Sequence, residues 1–197
     1  MLKTINRSKI SVMDFALSWD LVLIGIFFIL FTYNFLLGQN ATLKLILAIY
    51  ISILTADGLT QILQDFVILP SPNLSALIIS HEVGFYTALR LVLFFIAIVT
   101  FVTRGGFHIN IEPHDHPVAR FVIHALFSAM AVVLFLSTIL LYISGKSFIT
   151  GITEVHTISL YSKSYITKML IDYYQIWFTL PAMAFLVSSF VLPAEDE

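Results

Sequence analysis

A chain of 197 residues that is 59% hydrophobic and 11% charged, with a mean hydropathy of +0.96, carries far less charge than the roughly 25% of an average soluble domain. That deficit, together with several long apolar runs, places it among integral membrane proteins. The formal net charge of −2 offers no basic face for phosphates and excludes a nucleic-acid partner, and the absence of cysteine excludes disulfides and thiolate metal sites.

The first 13 residues form a short basic start with Lys3, Arg7 and Lys9. Residues 16–37 then supply the roughly 20 residues that a helix needs to cross the hydrocarbon core. From Val22 to Phe31 the run is apolar on all sides, without the polar stripe of a soluble surface helix. It is longer than the h-region of a signal peptide, about 7–15 residues, and no clean small-x-small site follows it. It reads as a retained anchor. Only Gly38 to Thr42 separate it from the second apolar run, residues 43–54. The two runs read as a membrane hairpin, the unit around which the rest is organised.

The second helix is predicted over residues 42–69, and its two halves differ. Beyond Leu54 come Asp57, Thr60, Gln61, Gln64 and Asp65, at offsets 0, +3, +4, +7 and +8, which share one helical face. Pro70 and Pro72 end the helix. Residues 72–84 repeat Leu74, Leu77, Ile78 and His81 at helical spacing, the pattern of an amphipathic segment lying at the interface. A third helix over 84–103 carries Arg90, and a fourth covers 118–144. Residues 145–168 read as a re-entrant or interfacial connector. A fifth helix covers 169–192, with Pro181 as its expected kink.

These elements predict an all-α integral membrane helical bundle of four to five spans in a single domain, residues 1–197. The four-span alternative holds if residues 74–103 do not cross. Short-loop cations favour a cytoplasmic N-terminus: Lys3, Arg7, Lys9, Lys146, Lys163 and Lys168 fall on that side, against Lys44, Arg104 and Arg120. No internal repeat supports an inverted-repeat transporter.

Two stretches could carry chemistry. A charge at the bilayer centre costs about 2.5–3.5 kcal/mol on insertion scales, so Asp57 and Arg90 should face protein or water. One reading is an ion pair lining a polar cavity, continued by Gln61, Gln64 and Asp65. The other is a structural clamp between two helices, or Arg90 snorkelling to the surface. The second stretch is the loop with His108, His114 and His116, whose imidazoles and neighbouring acids suit zinc and similar metals. His114 and His116 would project from one side of an extended segment, and His124 could approach from helix four. The alternative is a plain solvated loop, since no helical His pair accompanies it. Asp172 among Tyr173, Tyr174 and Trp177 reads as part of an interfacial belt, needing no partner. Ala125, Ser128, Ala129 and Val132 form a small-residue face for close helix packing. Nucleophile-elbow, phosphate-loop and dinucleotide motifs are absent, so neither an enzyme nor a cofactor is expected.

Ser18-Trp19-Asp20-Leu21-Val22-Leu23 opens the first helix, Gly38 closes it, and Ala48-Ile49-Tyr50-Ile51-Ser52 lies in the second. This order, over residues 16–65, resembles the N-terminal hairpin of the CvpA family, the colicin V production proteins. Gln39-Asn40 stands where family members commonly carry Arg-Gly. The resemblance implies a small bacterial inner-membrane protein linked to envelope integrity or secretion, without catalytic residues: a helical scaffold or pore-like subunit. Its partners would be the lipid bilayer and either further copies of itself or other membrane proteins. The alternatives are a small proton- or ion-coupled transport subunit, and a membrane protein with a His-rich metal-binding loop.

Overall fold

The computed structural model describes residues 7–68, 70, 82–105, 117–147, 161 and 164–191. These residues form helices and no strand: α1 (Arg7–Leu37), α2 (Gln39–Leu63), α3 (Glu82–Arg104), α4 (Pro117–Ile143), α5 (Tyr165–Asp172) and α6 (Tyr174–Val191). The expected interfacial segment over 72–84 lies almost wholly outside them, as does the loop with His108, His114 and His116.

The turn between α1 and α2 is one residue, shorter than the five-residue link expected. Gly38 sits at φ 93°, ψ 165°, a region open essentially to glycine alone, and α2 starts at Gln39 directly after it. Thr42 consolidates this reversal. Its hydroxyl lies 3.1 Å from the Gly38 carbonyl, which also accepts from the Thr42 N–H at 3.1 Å, and 3.3 Å from the carbonyl of Asn34 in the last turn of α1. At its far end α2 passes into a π-helical turn, Gln64–Ile68. Helix α4 begins at Pro117, whose fixed φ and missing N–H suit a first helical position. It ends in a Schellman turn: Gly145, at φ 78°, donates to the Tyr142 carbonyl (2.9 Å), and the Lys146 N–H donates to that of Leu141 (3.2 Å).

The final span breaks elsewhere than expected. Helix α6 runs through Pro181, and the chain instead bends by 63° between α5 and α6, at Tyr173. Ser164 caps α5 by accepting from the Thr167 N–H (3.0 Å), so this short helix has its own start and is not an extension of α6.

Four helical stretches are long and apolar enough to cross a membrane: Trp19–Leu37, Gln39–Phe66, Gly84–Arg104 and Arg120–Ile143. The bent pair makes a fifth if it counts as one span. Their outer faces are oily, with Leu36 79% and Ile29 70% exposed. Water does not tolerate apolar surface on this scale, and the chain is a multi-pass membrane bundle.

Its centre is α4, not the first hairpin. Helix α4 packs against α1, α2, α3, α5 and α6, and 61% of its apolar window is buried, against 6% for α1. Lipid is as apolar as leucine, so an oily helix gains little by moving from lipid into protein. Small and hydroxylated residues decide instead. Buried on α4 are Ser128, Ala131, Ser137 and Thr138, which permit close approach and bond across or along helices. Ser128 and Val132, members of the predicted small-residue face, are buried; the Ser128 carbonyl accepts from the Asn34 amide of α1 at 3.5 Å.

Candidate functional site

Helices α2 and α3 run antiparallel: Leu45 shares a cleft with Ile98 and Thr103, while twelve residues further along α2 Asp57 meets Arg90. The apolar periodicity of both helices puts these two charges on their facing sides. Arg90 Nε lies 3.7 Å from Asp57 Oδ1, with the Asp57 side chain fully buried and that of Arg90 12% exposed. The third member comes from α4. The Tyr142 hydroxyl donates to the Asp57 carboxylate, and its oxygen lies 3.4 Å from the Ile53 carbonyl. Tyr142 is held in place by Phe94 of α3, edge-on at 5.9 Å and 78°. A carboxylate, a guanidinium and a phenol thus join α2, α3 and α4 inside the bundle.

Asp57 and Arg90 face each other between α2 and α3, with little of either side chain exposed. The remaining members of the predicted face diverge: Thr60 is buried and donates to the Ala56 carbonyl of its own helix (2.7 Å), Gln61 and Gln64 are half-buried, and Asp65 is exposed in the π turn. At about 100° per residue, position +8 lies some 80° around the helix from Asp57, which takes Asp65 off the protein-facing side. Neither Asp57 nor Arg90 lines the apolar clefts beside Leu23 and Trp177, beside Leu30 and Phe135, or beside Leu126 and Pro181.

His124, the one metal-loop candidate among the described residues, stacks its ring on Phe35 of α1 (4.5 Å, 14°). No group of three His, Asp or Glu side chains is placed to hold a metal among the described residues.

Several polar contacts escaped the sequence reading. Asp20 of α1 accepts from the Ser164 hydroxyl and, at 3.4 Å, from the Ile166 N–H, so the start of α1 is tied to the start of α5. The Tyr50 hydroxyl donates to the Phe178 carbonyl, joining α2 to α6 just ahead of Pro181, while the rings of Tyr50 and Phe178 meet edge-on at 4.8 Å. Asp172, expected to stand alone, accepts from the Tyr161 hydroxyl at 2.9 and 3.1 Å. That bond to a carboxylate, with minor contributions from desolvation and from the Asp172 charge, raises the Tyr161 phenol above its ordinary value. Ser164 with Thr167 three residues on was the one legible signal, a helix-start pattern inside the expected connector.

No family model, curated protein or solved structure matches the chain.

Proposed function

We propose that the chain is a non-enzymatic scaffold subunit of a bacterial inner membrane, its N-terminus cytoplasmic, in the manner that the CvpA-like hairpin implies. The observation that supports this most is the Asp57–Arg90–Tyr142 cluster, in which both intramembrane charges are turned onto each other and onto a neighbouring helix. Ionisable groups inside a membrane mark ion or proton paths by default. Here their known contacts are with protein, and their effect is to lock three helices in register. The cation bias of the short loops supports the orientation.

A second reading, a small proton- or ion-coupled transport subunit using Asp57 and Asp65, draws on the π turn that holds Asp65, since π segments recur at functional sites. Reconstitution into liposomes under a pH gradient separates the two. The scaffold reading expects no proton flux above that of empty vesicles, and none that Asp57→Asn alters. Flux that disappears in Asp57→Asn would replace it with the transport reading.

A further inference from the structure

Two of the apolar clefts are one groove. The larger, about 400 Å³, lies between Leu23 and Phe28 of α1, Val133 and Leu136 of α4, and Ile166 and Met169 of α5. The smaller, about 190 Å³, continues it between α4 and α6, from Val133 to Leu126 and past Pro181. Val133 and Trp177 line both and form its waist. Its floor is a single stripe of α4, namely Leu126, Ala129, Met130, Val133 and Leu136, at helical spacing.

We propose that this groove holds one acyl chain of a bilayer phospholipid. Its direction and chemistry point to that occupant. Ten residues of α4 separate Leu126 from Leu136, so the groove runs about 15 Å along the helix axis at 1.5 Å per residue. It occupies the middle of the span Arg120–Ile143 and lies along the direction in which lipid chains lie. It opens on the lipid-facing surface beside Ile24 and Phe28, both exposed. Its larger part falls within the 300–1,000 Å³ range of sites that hold small ligands. The one polar side-chain atom that Trp177 could offer is turned away, its indole N–H donating to the Met169 carbonyl at 3.4 Å.

A polar end lies where a headgroup needs it. One helical turn before Leu23, Asp20 binds Ser164, and beyond them Tyr161, Lys168 and Asp172 gather at the start and end of α5. The helix α1 that roofs the groove is fastened at its two ends, by Asp20 to Ser164 and by Asn34 to the Ser128 carbonyl. Between these fastenings the protein leaves the space that the chain fills.

The full chain, purified from membranes in a mild detergent, is analysed for phosphorus and by native mass spectrometry. About one phospholipid per chain is expected to stay bound. Val133→Phe narrows the waist and should lose most of it, whereas Val92→Phe, on the exposed face of α3, should keep it. A parent without phospholipid, a bound fatty acid or detergent in its place, or equal loss in both variants overturns the proposal.

A second measurement does not depend on Val133→Phe folding. The chain has two tryptophans, Trp19 and Trp177, so Trp19→Phe leaves Trp177 as sole reporter and Trp177→Phe leaves Trp19. After reconstitution with chain-brominated phospholipid and dilution into unbrominated vesicles, Trp177 should stay quenched while Trp19 recovers. Recovery of both together overturns the proposal.

Discussion

Neutralising the buried pair one charge at a time should cost far more than neutralising both. At 3.7 Å, and with the effective dielectric constant near 20 that suits protein sites, the attraction between Asp57 and Arg90 is about 4.5 kcal/mol. Neither side chain is exposed enough for water to replace its partner. Asp57→Asn strands a guanidinium and Arg90→Gln strands a carboxylate, and losing one partner of a buried pair typically costs about 3–5 kcal/mol. The double variant buries two neutral amides instead. Its penalty is that of imperfectly bonded polar groups, about 1–3 kcal/mol, and the amide oxygen introduced by Asp57→Asn can still accept from Tyr142. The double-mutant cycle should therefore return a coupling energy of the order of the Coulomb figure. The assay is equilibrium unfolding in mixed micelles with rising denaturing detergent, followed by tryptophan fluorescence. A double variant at least as destabilised as the sum of the two singles would refute the pairing and, with it, the clamp.

Four further outcomes follow from the same structure. Tyr142→Phe removes a hydrogen bond to a charged acceptor and should cost about 1.5–3 kcal/mol in that assay, with a smaller effect in an Asp57→Asn background. Gly38→Ala should cost about 1–3 kcal/mol from backbone strain alone, because nothing lies within 4 Å of the added methyl; no loss of stability would contradict the tight reversal. Ser164→Ala should cost about 1 kcal/mol as a lost cap, and Asp20→Ala should add little to it, since both remove the same tie between α1 and α5; additive losses would contradict that tie. Tyr161 should ionise above the ordinary phenol value of 10.0. A phenol whose folded value is raised contributes stability that is complete below its unfolded value and is lost as pH rises through the folded one. The ultraviolet difference titration between the parent and Tyr161→Phe should then show the missing tyrosine titrating above about pH 10, and in Asp172→Asn that transition should move down.

Much of the fold was legible in the linear chain, because the requirement it answers to is one-dimensional. Each span must place enough consecutive oily residues in the hydrocarbon core, and that can be counted. The helices over 84–103 and 118–144 emerged at Glu82–Arg104 and Pro117–Ile143, and Asp57 and Arg90 stood out as charges in oily surroundings. What counting cannot supply is which helix lies against which. The prominence of the first hairpin came from its hydropathy, yet hydropathy carries no instruction about neighbours when the solvent is equally apolar. Only the three-dimensional packing put α4 at the centre, brought Tyr142 to a carboxylate 85 residues away in the chain, tied Asp20 to Ser164, and moved the break in the last span from Pro181 to Tyr173. Each of these depends on small polar groups meeting across helices, at separations along the chain that no local period encodes. The sequence by itself determined that the chain lives in a membrane and which residues are costly there; the tertiary structure decided how those costs are met.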